Sequence, residues 1–462
     1  MKSKKAISLI VLVITIIVMI ILAAAIIISL RNVNIFDKSE EAVDKYTHVQ
    51  EKEKIQIAVL NASEKGGVNV ANLTETINAE FNEDWEFFSK SETGCVVRIK
   101  SSQRRYEITT EGGLEEYKET ELADKSLFTY SGTTITGLSA YGKETLTGLA
   151  GKNVKLVIPE GYTRIDMLYR NNTTIFNNLK SLSVYAQDVT STTINVFIGC
   201  KSLVDVYMPK LTVIEAQAFQ YCTNLITLYT PSVTKIQASS LGGCTNLTNI
   251  DISNVITIDY GSLGNCDSLT ELNLPNLTTI GNQAFQSCDN LESIDMPNAT
   301  KIGAHAFWYC SKLELVNIPN VHTIGGLAFY DCKNLAIVNG HSITTVGGQA
   351  FQGCKKLKNI DVSKVIDIGN SALHSCDSLT SIDLTSAKTV GDQAFFWCTN
   401  LANIKFSKLE SVGGHSFMHN YKGDIVINYT GTMEEWGKIE KGAFNNTFDK
   451  AKIICSDGTI NE

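Results

Sequence analysis

Several classes of protein are excluded by features that this chain of 462 residues lacks. Lysine and arginine number 40 against 48 acidic residues, so the chain has no excess of positive charge for binding nucleic-acid phosphates. It also lacks a phosphate-binding glycine loop, a nucleophile elbow and a paired-carboxylate pattern. Its seven histidines are scattered and reveal no metal-binding group. We therefore expect no nucleic-acid partner, no enzymatic activity and no cofactor.

The cysteines include no Cys-x-x-Cys pair, so the usual paired zinc-binding motifs are absent. Instead, ten of the twelve cysteines follow one another at a constant interval of 22 residues. A fixed period of this length is typical of a solenoid, in which neighbouring coils bury each other's apolar faces. The ten are Cys200, Cys222, Cys244, Cys266, Cys288, Cys310, Cys332, Cys354, Cys376 and Cys398.

Each coil repeats one apolar pattern, which we number from its first apolar residue, Ile280 in a representative coil. Leu291, Ile294 and Met296 have the L-x-x-L-x-L spacing of a leucine-rich repeat, and the last two share one face of a predicted strand. Ala-Phe-x-x-Cys at positions 5 to 9 predicts one helical turn. Phenylalanine or leucine at position 6 predicts a stacked apolar core, and glycine at position 2 predicts a turn where a Cβ would crowd the backbone.

This pattern, Ile-Gly-x-x-Ala-Phe-x-x-Cys-x-x-Leu-x-x-Ile-x-Ile-Pro, resembles the BspA-like leucine-rich repeat of bacterial surface proteins. The resemblance is strong over residues 192–411, and the tail resembles the C-terminal segment of that family. It implies an α+β leucine-rich-repeat solenoid with degenerate coils at 122–191, the main solenoid at 192–433 and a cap at 434–462. It also implies adhesion through an extracellular protein or glycan partner.

The cysteine series has two interpretations. Equivalent Cα atoms in adjacent coils would lie about 4.8 Å apart, a separation that a disulfide accepts. However, side chains that point the same way suit the torsion of that bond poorly. The interpretation that we favour is a buried thiol that acts as a small hydrophobic group at the inner corner of each coil.

The N-terminal segment, residues 1–30, predicts a membrane anchor. Lys2, Lys4 and Lys5 precede an uncharged apolar run over residues 6–30 that is long enough to cross a bilayer as a helix. The flanking lysines predict a cytoplasmic N-terminus and an extracellular remainder, which would place the protein at the cell surface. Cleavage as an ordinary signal peptide is the less favoured alternative.

The same segment resembles a type IV prepilin leader, with Ala6 and Ile7 flanking the position at which that family is processed. Members that form filaments usually have glutamate at the fifth mature position, whereas this chain has Val11. The resemblance therefore implies either an atypical minor pilin, whose partners would be other filament subunits, or a plain membrane anchor.

Residues 31–121 predict a small α+β region that resembles a pilin head. An apolar stripe predicts a helix over 37–60, which either extends the membrane helix or packs on its own domain. A second helix is expected over 70–88, followed by two strands over 95–100 and 104–109. The acidic stretch 115–124 predicts a linker.

Two solenoid surfaces are candidate binding sites. The first is a polar track formed by the outward residue between the last two apolar positions of each strand. It is either a groove for a protein, a glycan or calcium, or simply a solvated strand face. Its candidate residues are Asp251, Asn273, Asp295, Asn317, Asp361 and Asp383, in a series that also includes Tyr207, Tyr229, Asn339 and Lys405.

The second surface consists of aromatic residues at positions 7 and 8, where most other coils have glycine, glutamine, serine or asparagine. The candidates are Trp308, Tyr309, Tyr330, Phe396 and Trp397, with His374 nearby. Exposed aromatic clusters favour recognition, although these rings could instead pack across the turn of the next coil. The sequence thus predicts a membrane-anchored, adhesin-like binding protein. The alternative is a minor pilin-like or pseudopilin-like subunit of a filament or secretion system.

Overall fold

A computed structural model of the protein describes residues 35–65, 68–82, 84–91, 94–99, 105–418 and 425–461. The membrane segment predicted at 6–30, including Ala6 and Ile7, lies outside these residues. Within them, no helix is long and apolar enough to cross a membrane. The chain divides into two compact units between Tyr117 and Lys118.

The first unit contains two helices and an antiparallel sheet. Helix α1 spans Ile35–Glu64 and α2 spans Val70–Phe81. The strands pair in the order β1 (Trp85–Ser91), β2 (Gly94–Ile99), β3 (Arg105–Thr109) and β4 (Leu114–Glu116). The predicted first helix and hairpin are confirmed. The second helix ends earlier than predicted, because Asn82 adopts a left-handed conformation (φ 46°) that a right-handed helix cannot continue.

This unit has its own hydrophobic core. Helix α1 contributes Ile55, Val59 and Ala62, which face inward at helical spacing and are almost fully buried. Helix α2 contributes Leu73 and Ile77, and the inward residues of β2 and β3 complete the core. The hydroxyl of Tyr106 donates a hydrogen bond of 2.9 Å to the buried Glu51 carboxylate. The helix over 35–64 therefore packs on the sheet of its own unit along its C-terminal half.

The second unit is the solenoid, and its longer strands, one per coil, are here called the front strands. They form three mostly parallel sheets of six, five and five strands. The six are Thr120–Leu122, Asn153–Val157, Ser181–Tyr185, Leu203–Tyr207, Thr227–Tyr229 and Asn249–Asp251. The next five are Glu271–Asn273, Ser293–Asp295, Leu315–Asn317, Ile337–Asn339 and Asn359–Ile360. The last five are Ser381–Leu384, Asn403–Phe406, Val426–Tyr429, Lys452–Cys455 and Gly458–Ile460.

One expectation about the start of the solenoid is wrong. The acidic stretch predicted to be a linker contains the strand Thr120–Leu122, which pairs in parallel with Val154–Leu156 of the next front strand. The acidic residues do not prevent this strand pairing, because the Glu121 side chain faces outward. Its carboxylate forms an ion pair of 2.9 Å with Lys155.

Each coil also has a second, two-residue strand that the sequence pattern does not reveal. These strands form an eleven-stranded sheet: Val213–Ile214, Lys235–Ile236, Thr257–Ile258, Thr279–Ile280, Lys301–Ile302, Thr323–Ile324, Thr345–Val346, Asp367–Ile368, Thr389–Val390, Ser411–Val412 and Glu440–Lys441. A four-stranded sheet (Phe128–Ser131, Thr134–Leu138, Arg164–Ile165 and Ser191–Thr192) precedes it. The remaining helices are Lys125–Leu127 (3₁₀), Ala140–Gly148, Thr173–Asn177, Met433–Gly437 and Asn446–Asp449.

The predicted core is confirmed. The rings at position 6 stack coil upon coil, with centroids 5.2 Å apart for Phe285 and Phe307 and 5.1 Å apart for Phe307 and Phe329. Leu241, Leu263 and Leu373 take the same fully buried place in other coils. At the C-terminal end, Phe448 stacks on Phe417 at 4.8 Å, so the tail continues the core by one more layer.

The glycine at position 2 is also explained. A Cβ on Gly303 would lie 2.5 Å from the carbonyl carbon of Gly281, and one on Gly325 would lie 2.6 Å from the amide nitrogen of Ala304. From Gly281 onward, successive coils approach each other too closely at position 2 for a side chain, whereas the preceding coils have Glu215, Gln237 and Asp259 there.

The predicted helical turn at positions 5 to 9 is wrong. Positions 4 and 8 have positive φ, for example 58° at Gln283 and 55° at Ser287, which interrupts a right-handed helix. The amide groups of Gln283, Phe285 and Ser287 instead donate to carbonyl oxygens of the next coil, at Ala304, Ala306 and Trp308. Positions 3 to 8, here called the turn side, therefore form a ladder between coils.

Candidate binding surfaces

The polar track lies where the sequence places it, on the outward face of the front strands. Asn273, Asp295, Asn317 and Asn339 occupy the same register in four consecutive strands. Each stands beside a buried residue, such as Ile294 or Val316, so its side chain reaches solvent. Asp251 continues the series on one side, and Asp383 and Lys405 pair in the same register further along. Asp361 directly follows the strand Asn359–Ile360.

Most carboxylates of this track already have partners within the protein. Asp361 and Asp383 accept hydrogen bonds from the backbone amides of Ser363 and Thr385, at 3.1 Å and 3.0 Å. Partial burial raises their pKa, but these hydrogen bonds, with His341 and Lys405 nearby, outweigh burial and hold the pKa of both groups below the usual range.

Calcium binding at the track gains no support from the geometry. Asn317 donates to Asp295 at 2.6 Å, so a carboxylate and an amide that could share a cation are bonded to each other instead. Throughout the part of the chain that the structure describes, no group of three or more His, Cys, Asp or Glu residues could hold a metal ion.

A tyrosine ladder adjoins the track, and sequence reasoning did not single it out. The rings of Tyr185, Tyr207 and Tyr229 stack in consecutive coils, with centroids 5.6 Å and 5.0 Å apart. Lys155 lies 4.6 Å from the centroid of the Tyr185 ring, and Tyr229, at the other end, is 39% exposed. The sequence signal is tyrosine at one repeat position in three successive coils, of which the predicted track contained Tyr207 and Tyr229.

An apolar pair on the same face was also missed. Leu315 and Ile337 are register partners in neighbouring front strands, beside Asn317 and Asn339. They point outward and are 37% and 47% exposed. The front strands therefore have a tyrosine stretch in the first sheet, and an acidic and amide stretch with an apolar pair in the second.

The predicted aromatic residues form two separate clusters on the turn side. In the first, the Trp308 and Tyr309 rings lie 4.5 Å apart, and Tyr330 of the next coil meets Tyr309 edge-on at 5.7 Å. Tyr309 is 37% exposed, whereas the indole N–H of Trp308 is buried without a hydrogen-bond partner. The first cluster thus combines ring packing with an exposed tyrosine face.

In the second cluster, Phe396 stacks on His374 at 5.0 Å, and Trp397, 46% exposed, lies 6.3 Å from Phe396. Partial burial is the largest influence on His374 and lowers its pKa. Tyr309 and Trp397 are four coils apart, which is about 19 Å at the spacing of parallel strands, so the fold does not unite the clusters.

The cysteine series is a structural ladder and not a site. All twelve thiols are free and buried, so the disulfide interpretation is wrong and the buried-thiol interpretation is confirmed. The thiol of Cys310 donates to the carbonyl oxygen of Phe285 at 3.0 Å, and that of Cys332 to Phe307 at 3.0 Å. Burial raises the pKa of Cys244 to about 12, which keeps this thiol protonated and unreactive.

A comparison with protein families agrees with this geometry. The model described as "BspA type Leucine rich repeat region" matches six copies, over residues 152–226, 212–336 and 336–451. These matches cover more than half of the chain, which therefore belongs to the BspA-type leucine-rich repeat family. No curated protein matches the chain.

Solved structures that match the chain come from several bacteria. A leucine-rich repeat protein from Bacteroides ovatus is 20% identical over 71% of this chain and 98% of its own, with a TM-score of 0.48. A leucine-rich cell surface protein from Faecalibacterium prausnitzii is 20% identical over 73% and 96%, with a TM-score of 0.34. A leucine-rich repeat protein from Eubacterium ventriosum is 16% identical over 63% and 95%, with a TM-score of 0.31.

Proposed function

We propose that this protein is a non-catalytic, adhesin-like binding protein that displays its solenoid outside the cell. Leucine-rich-repeat solenoids typically bind other molecules along extended surfaces, and the family match extends over residues 152–451 of the solenoid. The proposed partner is an extracellular protein or glycan.

The observation that carries this proposal is the composition of the front face. A strand face that only needs to be solvated has no use for stacked tyrosines or for an outward leucine and isoleucine in neighbouring coils. Tyr229, Leu315 and Ile337 nevertheless remain exposed there. Tyrosine is enriched among residues that dominate binding energies, and exposed apolar side chains gain free energy when a partner covers them.

Residues 118–462 provide the direct test, because the solenoid has a hydrophobic core formed entirely within this range. We would measure binding of the soluble unit to arrays of extracellular matrix proteins and glycans. The variant Tyr229→Ala/Ile337→Ser should lose binding, whereas Tyr141→Ala, an exposed tyrosine of the helix Ala140–Gly148, should not.

Two further variants separate the candidate surfaces. Asp295→Ala/Asn317→Ala tests the polar track, and Trp308→Ala/Tyr309→Ala tests the turn side. Full binding by the front-face variant, at unchanged melting temperature, would exclude the front face. Absence of binding to every array member would contradict adhesion itself.

Anchoring of the chain through residues 6–30, with the solenoid at the cell surface, belongs to the same proposal and rests on the sequence of that segment. Mass spectrometry of the N-terminal peptide from native membranes would test it. A chain that keeps Met1 or Lys2 and partitions with membranes would agree with a plain anchor. A chain that begins beyond residue 30 would contradict anchoring.

The filament alternative makes a different prediction from the same measurement. It rests on the leader-like sequence around Ala6 and Ile7, and on the order of a long helix followed by an antiparallel sheet. A methylated Ile7 at the N-terminus, together with recovery of the chain in sheared filaments, would favour a pilin-like subunit. An unprocessed N-terminus would exclude it.

A further inference from the structure

The turn side contains aromatic residues at positions where the fold itself disfavours them. Position 8, directly before each cysteine of the ladder, has positive φ in every coil from Gly199 to Trp397. Side chains with a Cβ are strained in this region, and glycine, asparagine and aspartate tolerate it best. Most coils accordingly have small or polar residues there: Gly199, Gly243, Asn265, Ser287, Asp331, Gly353 and Ser375.

Three coils depart from this rule. Tyr221, Tyr309 and Trp397 have φ values of 59°, 60° and 63°, although their bulky side chains make that conformation costly. They are 58%, 37% and 46% exposed, so burial of the rings offsets only part of this cost. Strain at exposed residues that the core does not require points to a role outside the fold.

The three residues are also evenly spaced. Tyr309 lies 88 residues after Tyr221 and 88 before Trp397, which is four coils in each case. Along a stack with about 4.8 Å between coils, the rings are therefore about 19 Å apart. Tyr260, at position 3 and 53% exposed, lies midway between the coils of Tyr221 and Tyr309. Tyr221, Tyr309 and Trp397 thus occupy equivalent positions at equal intervals along the stack of coils, and we call these three rings the platforms.

Each platform is supported from the next coil or from its own neighbours. A Cβ on Gly243 would lie 2.6 Å from Cδ1 of Tyr221, so the Tyr221 ring lies directly against the glycine of the following coil. The Tyr309 ring packs against Trp308 and Tyr330, and the Trp397 ring packs against Phe396. Such support fixes one side of each ring and leaves the remaining surface in contact with solvent.

The surface between the platforms is hydrophilic but almost uncharged. At positions 3, 4, 7 and 8 of the described coils, Asp331 and Asp392 alone have a formal charge. The other polar side chains there are mainly amides and hydroxyls, such as Gln217, Gln220 and Gln286. A nucleic acid would need positive charges, and a globular protein partner would favour one compact central cluster, so neither suits this surface.

We propose that the turn side binds an extended, uncharged polysaccharide that stacks in succession on Tyr221, Tyr309 and Trp397. Sugar rings present apolar C–H faces to aromatic rings, and their hydroxyl groups match the amide donors and acceptors between the platforms. A hexose in an extended chain advances by about the height of one coil. This inference rests on the proposed binding function and names a partner class for a surface different from the front face.

The test measures the retardation of residues 118–462 in native gels that contain soluble polysaccharides. Hydroxyethyl cellulose, xyloglucan and galactomannan serve as neutral probes, and alginate as an anionic one. We expect retardation by at least one neutral probe and none by alginate. Single substitution of a platform should weaken binding roughly three- to tenfold, and the triple variant should abolish it, because the three contacts act together on one chain.

The informative variants are Tyr221→Asn, Tyr309→Asn and Trp397→Asn. Asparagine tolerates positive φ and occupies this position naturally at Asn265, so these variants should melt at the same temperature or higher while losing binding. Tyr141→Ala is the matched control and should bind as the parent does. Retardation by alginate alone, by no neutral probe, or equally in the triple variant would overturn the proposal. Front-face binding to a matrix protein would then leave the proposed function standing.

Discussion

At the scale of single residues, the cysteines show how a repeated side chain can serve packing and hydrogen bonding together. Each thiol of the ladder fills the inner corner of its coil, and from Cys222 to Cys398 it donates to a backbone carbonyl of the preceding coil, as Cys222 does to Phe197 at 3.0 Å. An apolar residue of similar size would leave the carbonyl without this second donor. The choice of cysteine is therefore explained within the fold, with no need for redox chemistry.

We expect the native protein to be inert towards thiol reagents. Burial raises the pKa of Cys200 and Cys398 to about 12, and the thiolate is the reactive form. Ellman's reagent should detect almost no thiol in the native state and all twelve cysteines after denaturation. Rapid labelling of several cysteines under native conditions would contradict the buried ladder.

The ionisation of two aspartates should affect the free energy of unfolding in opposite directions. The hydrogen bonds from Thr385 and Lys405 lower the pKa of Asp383 against partial burial, so its charge stabilises the fold above about pH 4 and loses this effect as pH falls. Burial raises the pKa of Asp377, although Lys355 and His374 counteract it, so its charge destabilises the fold at neutral pH. Asp383→Asn should lower the unfolding free energy at pH 7, and Asp377→Asn should raise it.

Solvent exposure limits both effects to about 0.5 kcal/mol or less. Urea unfolding of the two variants at pH 7 and near pH 3 would measure them, and both differences should shrink at the lower pH. If both variants changed the free energy of unfolding in the same direction at pH 7, the two carboxylates would not have the environments described above.

At the scale of the element, the stacked ring at position 6 forms an apolar contact that repeats from coil to coil. Leucine occupies the same place in three coils, so the site accepts either side chain. Phe329→Leu should therefore lower the unfolding free energy by only about 1 kcal/mol, whereas Phe329→Ala should lower it by about 3–5 kcal/mol because it leaves a cavity. Chemical denaturation of both variants checks this order, which similar losses would contradict.

The close approach of coils at position 2 gives a second prediction for the element. A Cβ on Gly325 would meet the backbone of Ala304, which cannot rotate away, so Gly325→Ala should destabilise the fold by about 1–3 kcal/mol. Gly148→Ala is the control, because a Cβ there has no atom within 4 Å. Equal melting temperatures for the two variants would show that adjacent coils can move apart.

Prediction from sequence succeeded where burial alone decides the structure. The spacing of Leu291, Ile294 and Met296 predicted the front strand, because buried and exposed residues alternate along a strand with one face in the core. Sequence-based prediction failed where conformation depends on the neighbouring coil. Glutamine and serine, as at Gln283 and Ser287, do not indicate a positive φ. Two-residue strands such as Thr279–Ile280 are too short to show a period. Trp308 and Tyr309 were found as neighbours in sequence, whereas Leu315 and Ile337 meet only through strand register.

At the scale of the whole molecule, the solenoid behaves as a stack in which each coil contacts its neighbours. We expect that removal of residues 246–267, one complete coil from Asn246 to Asp267, leaves a folded protein, because Ser268 then follows Thr245 in the normal repeat order. Removal of residues 246–256 should disrupt folding, since half a coil puts buried positions into solvent. Circular dichroism and thermal unfolding of both deletions check this prediction, and equal behaviour would contradict it.

The constant 22-residue period also has an evolutionary consequence. The amide groups of one coil meet the same carbonyl positions whichever coil follows, as Phe285 meets Ala306 and Phe307 meets Ala328. Unequal recombination between two similar coils therefore yields a gene product that still folds, longer or shorter by whole coils. Descendants of this chain can therefore lengthen or shorten the solenoid in steps of one coil. Each step changes the distances between surface side chains and requires no new kind of core contact.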